Sequence, residues 1–199
     1  MSKKIFSSLS LICLGLSLSG CFNKSRLPLS KWEDAQPDRA LAGAWRAVID
    51  GKDVYLHIIP LPEDHPEKAW MQLAHVVQPP NGSTGRGEDA ILLNMFPTAV
   101  KGRKFMNVLF RKSHEAKDGR CEMEEYYWFW KYELSRDGVL TVWELEEEPI
   151  RLALEDGKLK GTYKNSVSLE DSSENILAFL LSDEGEKAFH LYGKFKKIR

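Results

Sequence analysis

Glu124-Glu125-Tyr126-Tyr127-Trp128-Phe129-Trp130-Lys131-Tyr132 packs six aromatic rings into nine residues. In a strand, successive side chains point to opposite faces, so Tyr126, Trp128, Trp130 and Tyr132 share one face and Tyr127, Phe129 and Lys131 the other. Aromatic residues on both faces mean a strand covered on both sides. Two arrangements satisfy this: core on one face with a helix packed over the other, or a ligand-cavity wall made by Tyr126, Trp128, Trp130 and Tyr132. On either side of this strand the sequence keeps the same period of two, with β-branched and aromatic residues bounded by Gly, Pro, Asp and Asn. The pattern predicts strands at 43–49, 54–61, 70–78, 90–95, 105–111, 124–135, 139–146, 159–164 and 189–196. Asp50-Gly51, Asp137-Gly138 and Asp156-Gly157 lie between them or at element ends, where positive φ is needed. Short helices are expected at 149–154, opened by Pro149, and at 173–181, capped by Ser172 or Ser173 with Ile176, Leu177, Leu180 and Leu181 on one face. The expected fold is mainly β, an antiparallel barrel-like single domain over residues 41–199 with one or two short helices.

The chain begins differently. Lys3 and Lys4 precede an uncharged apolar run from Ile5 to Leu18, the layout of a secretory signal. At roughly 1.5 Å per residue that run reaches ~21 Å, short of a ~30 Å hydrocarbon core. It ends in Leu18-Ser19-Gly20-Cys21, which resembles the lipobox of bacterial lipoproteins: Leu, two small residues, then Cys. The resemblance implies cleavage before Cys21, acylation of its sulfur, and membrane attachment through those chains. Two or three acyl chains hold a protein durably at a bilayer, whereas one holds it only marginally. Phe22 is not aspartate, and the resemblance therefore suggests the outer membrane, with the domain facing the periplasm; in a Gram-positive source it would be the outer face of the plasma membrane. Residues 21–40, polar and bearing Pro28 and Pro37, read as a flexible tether.

Charge and cysteine usage narrow the function classes. The 199-residue chain has 28 basic and 29 acidic residues, and the signal takes two lysines and no acid with it. Nucleic acid is not an expected partner, because phosphate binding needs a clustered basic excess; the terminal group Lys194, Lys196, Lys197 and Arg199 reads as a solvated strand end. Of three cysteines, Cys13 leaves with the signal and Cys21 carries lipid, so Cys121 has no partner for an intrachain disulfide. Stability must come from packing, for which six tryptophans and a 43 % apolar fraction are ample in one domain.

No His-Glu-x-x-His, Cys-x-x-Cys or Gly-x-Ser-x-Gly is present, so binding rather than catalysis is expected, with neither cofactor nor metal. Among five histidines, His57 and His75 fall inside strands, and His75 shares a face with Met71, Leu73 and Val77, the setting of a wall or core histidine. The acidic run Glu144-x-Glu146-Glu147-Glu148 reads as a solvated strand end. The loop 79–87 is glycine-rich but fits no phosphate-binding template.

Leu41-Ala42-Gly43-Ala44-Trp45-Arg46 places Gly-x-Trp at the opening of the first strand of the domain, which resembles the start of lipocalin-like proteins. The resemblance implies that Trp45 packs at one end of a barrel with Arg or Lys from the last strand stacked nearby, and it adds Trp45 to the cavity candidates. From Lys104 onward, Phe105-Met106-Asn107-Val108, Lys131-Tyr132-Glu133-Leu134, Ala153 to Gly161 and the helix with Phe179-Leu180 resemble a group of bacterial envelope lipoproteins with no assigned activity. Two functions are compatible with these features: carrying or sensing a small apolar ligand, or serving as a structural or accessory subunit of an envelope protein complex.

Overall fold

The computed structural model describes residues 23–78, 89–115 and 121–198; the expected signal, the expected lipobox with Cys21 and the glycine-rich segment 79–87 lie outside the described residues. A two-residue strand, β1 (Lys24–Ser25), comes first, followed by the strands of the main sheet: β2 (Gly43–Ile49), β3 (Lys52–Pro60), β4 (Met71–Gln78), β5 (Asp89–Val100), β6 (Arg103–Glu115), β7 (Cys121–Leu134) and β8 (Val139–Leu145). Each of β2 to β8 pairs antiparallel with the next. The chain then leaves the sheet through α1 (Glu147–Glu155), β9 (Gly161–Tyr163), β10 (Val167–Leu169), α2 (Ser173–Leu181) and α3 (Asp183–Lys187), and returns as β11 (Phe189–Lys197). β11 pairs with β8 on one side and with β2 on the other, where Lys196 faces Arg46 and Lys197 faces Trp45. Eight antiparallel strands thus close into a barrel, which leaves no open edge among them.

Alternation decides what enters the barrel. Trp45, Leu56, Ile58, Met71, Leu73, Met95, Met106, Val108, Tyr132, Leu140, Val142 and Phe195 fill one half of the interior and are almost fully buried. That half holds the start of β2 and the ends of β3, β5, β7 and β11; we call it the floor. Trp45 closes it: its indole nitrogen donates to the Leu41 carbonyl at 2.8 Å and the Lys197 ammonium lies 5.2 Å from its ring centre. Gly43 takes φ +130°, which L side chains rarely adopt, and a Cβ at that position would displace the end of the Lys197 side chain, whose Cε would lie 2.6 Å away. The Gly-x-Trp spacing therefore makes room for the cation that covers the tryptophan.

A second apolar layer lies outside the wall. Phe105, Phe129 and Leu145 point outward and pack under Ile150, Ala153, Leu159, Ile176, Phe179 and Leu180 from the excursion between β8 and β11. Lys131, on the same outward face of β7, is 8 % exposed and pairs with Glu186, with the Trp143 and Phe189 rings at 4.7 and 5.2 Å from its ammonium. Core inside and helices outside is what the two aromatic faces of β7 demand.

The segment expected to be a flexible tether is instead packed on the barrel over its described part, residues 23–40. Asn23 and Leu29 are 6 % and 2 % exposed, β1 runs parallel to β10 and meets β7 at Tyr127, and Ser30 hydrogen-bonds Thr98 at 2.6 Å. At its far end Asp38 accepts from Lys104 (2.8 Å) and Tyr132 (3.0 Å). Burial works against its charged form, but these donors outweigh it and hold the carboxyl below its ordinary range. The segment thus descends the outer wall from the other end of the barrel, the mouth, to the floor.

Candidate ligand-binding site

The mouth half of the interior is hollow, with a cavity of about 800 Å³. An eight-stranded barrel has an interior that side chains can fill or that can hold one small ligand, and this one does each in a different half. The cavity wall is apolar and aromatic. Val77 of β4, Ile91 and Leu93 of β5, Phe110 of β6, and Tyr126, Trp128 and Trp130 of β7 line it. Phe110 stacks on both Tyr126 (4.9 Å between ring centres) and Trp128 (5.1 Å), and Trp130 stacks on Tyr192 at 5.7 Å. Rings held against rings make a preformed surface with few rotamers to fix on binding.

Of the residues singled out from the sequence, Tyr126, Trp128 and Trp130 come together on this wall. Trp45 and Tyr132 do not: both are 1 % exposed and belong to the packed floor. Tyr132 is on the same face of the same strand, but four residues further toward the floor than Trp128, where neighbouring side chains fill the barrel. Its hydroxyl is spent on Asp38, and burial together with that carboxylate pushes its pKa far up.

His75 takes the wall position that its alternation implied. Its Nε2 lies 2.6 Å from the Tyr192 hydroxyl and its ring meets Trp130 edge-on at 6.3 Å. Burial lowers its pKa, so the ring is a neutral polar spot on an apolar wall. Tyr192 reaches the cavity because β11 bulges between Leu191 and Gly193. The bulge shifts the inward phase, allowing Tyr192 and Phe195, three residues apart, to point inward together. Strict alternation hides that relation.

The rim is polar and mostly acidic. β8 and β7 pair only from Trp130 onward, and beyond that point they part. Asn23 and the turn from β8 into α1 occupy the gap. Glu144 lines the inside of the mouth and sits 2.9 Å from His190 Nε2, while Glu146 lies 3.8 Å from His190 Nδ1. The acidic run is therefore a strand end followed by the first turn of α1, where Glu147 and Glu148 complement the helix dipole, rather than one solvated strand face. Lys52, at the start of β3, also lines the mouth. His57 is exposed on the outer wall, away from the cavity. Among the described residues no group of three His, Cys, Asp or Glu has the arrangement of a metal site. Comparison of the chain with known protein families, with curated proteins and with solved structures finds no match.

Proposed function

We propose that this chain is an envelope lipoprotein, attached to the membrane by acyl chains on Cys21, whose barrel carries or senses a small apolar ligand. The observation that carries the reading is the 800 Å³ cavity walled by Phe110, Tyr126, Trp128 and Trp130, within the size range of sites for small molecules. Its place in the chain supports the same reading. Asn23 lines the cavity rim and follows Cys21 by two residues, so at most about 7 Å of extended backbone separates the acylated residue from the cavity. A ligand that partitions into the bilayer would meet the mouth without crossing open water.

Native mass spectrometry of the chain extracted from membranes is the test. A bound apolar molecule that is lost on replacing Trp128 by Asp is the expected result. An empty cavity after gentle extraction, with no uptake of added ligands, would end the reading. Attachment is tested separately: Cys21→Ser should move the protein from the membrane fraction to the soluble fraction.

A further inference from the structure

The cavity rim holds polar atoms that nothing among the described residues satisfies. Asn23 is 6 % exposed, and its Nδ2 donates to the Leu145 carbonyl at 3.0 Å. That bond fixes the orientation of the amide, since the flipped form would set Oδ1 against the same carbonyl oxygen. Oδ1 is left buried with no donor. Glu147 Oε2 is likewise buried with no donor. An unpaired buried acceptor costs about 1–3 kcal/mol, so it is rare unless a partner arrives. The dipole of α1 explains why acidic residues stand at its first turn; it does not explain a carboxylate oxygen shut away from water without a donor.

These atoms have one chemistry in common. Each accepts, and the rim is acidic: Glu144, Glu146, Glu147 and Glu148 line it with one lysine, Lys52, and of the four carboxylates Glu148 is paired with Arg151 and Glu144 with His190. A carboxylate or phosphate head would bring like charge and no donors. A hydroxyl brings one donor and no charge, and a quaternary ammonium brings charge and no donors. A protonated amine supplies both, and an alkylammonium is its most compact form.

We propose that the cavity takes an amphiphile with an alkylammonium head, its N–H groups given to Asn23 Oδ1 and Glu147 Oε2 and its apolar body laid against Phe110, Trp128 and Ile91. The proposal rests on the reading of the cavity as a ligand site, and it specifies the head group that site selects. A site with unpaired acceptors discriminates strongly against analogues that lack the donor.

The test is calorimetric titration of the full chain with four probes that share a twelve-carbon tail: dodecylamine, dodecanoic acid, 1-dodecanol and dodecyltrimethylammonium. Dodecylamine should bind about tenfold more tightly than each of the others, the worth of one charge-assisted bond. Glu147→Gln and Asn23→Ala should each remove most of that advantage, read as the ratio of amine to alcohol affinity; the second site guards against a variant that merely disturbs the first strand. Equal or tighter binding of the acid, the alcohol or the quaternary amine overturns the head-group assignment while leaving the cavity a ligand site. Failure of all four probes to bind overturns both.

Discussion

Asn107 is fully buried on the outward face of β6 and ties the amino-terminal segment to the barrel. Its Oδ1 accepts from the Leu29 backbone at 2.7 Å, and its Nδ2 donates to the Phe96 carbonyl and the Thr98 hydroxyl at 3.2 and 2.8 Å. Truncation to Ala leaves a buried N–H and a buried C=O without partners in a space that excludes water. Asn107→Ala should therefore cost about 2–3 kcal/mol, read as a lowered urea midpoint with unchanged slope. The ring of His75 makes a different prediction, because its burial matters only when it would take a proton. Its folded pKa lies below the ordinary value of 6.5, so on acidification the unfolded chain is protonated first. The stability linked to this ring is complete above about pH 6.5 and is lost as the pH falls through the lowered folded value. Urea unfolding at about pH 7.5 and about pH 5 should show a smaller acid loss in His75→Gln than in the parent chain; an equal loss would place the acid sensitivity elsewhere.

At the scale of elements, α2 and α3 meet too closely for any side chain at Gly185. A Cβ there would lie 2.0 Å from the Phe179 carbonyl oxygen and 2.7 Å from Leu180 Cα, both backbone and unable to step aside. Gly185→Ala should cost about 1–3 kcal/mol through forced separation of the two helices, visible as a lower Tm and as faster amide exchange in α2. The identity of this contact is invisible in sequence, where Asp183-Glu184-Gly185-Glu186-Lys187 shows no apolar face at all. Elements with a strong period are legible: 43–49 and 173–181 are read to the residue, because alternation in one and a serine cap with four apolar residues in the other leave few choices. β5 runs five residues past its expected end at Met95, because Pro97 reads as a terminator. It is tolerated, since pairing with β4 stops at Met95 and Pro97 has a sheet neighbour on one side only. Residues 23–40 defeat periodicity altogether. Their order comes from Asn107, Thr98 and Lys104, partners some 65 to 80 positions away in the chain. The wall residues Tyr126, Trp128 and Trp130 can be named from alternation, but where the packed floor gives way to the cavity depends on side-chain volumes around the whole barrel. For that reason Trp45 and Tyr132 pass as wall candidates until the barrel is closed.

For the whole molecule, the decisive relation is that the cavity and Asn23, two residues after the proposed acylation site, lie at the same end. Asn23 is at the mouth, and the chain descends from it along the outer wall until Asp38 meets Lys104 and Tyr132 at the floor. On the proposed acylation of Cys21, this ordered descent fixes which end of the barrel faces the bilayer: a flexible tether would have let the barrel tumble, whereas a packed one holds the mouth toward the lipid. The two hairpins at opposite ends report the difference. Asp50, in the β2–β3 turn, marks the mouth, and Asp137, in the β7–β8 turn, marks the floor; strands of the length of β2 set these turns roughly 20 Å apart. In a Cys121→Ser background, fluorophores placed on Asp50→Cys and Asp137→Cys should differ in energy transfer to an acceptor dye in the vesicle surface, the label at 50 being the more strongly quenched. Breaking the descent with Asn107→Ala should narrow that difference, because the barrel would then swing on a loosened segment. Equal quenching at both sites in the parent chain would show that the mouth does not face the membrane, and ligand entry would then have to be argued from the aqueous side.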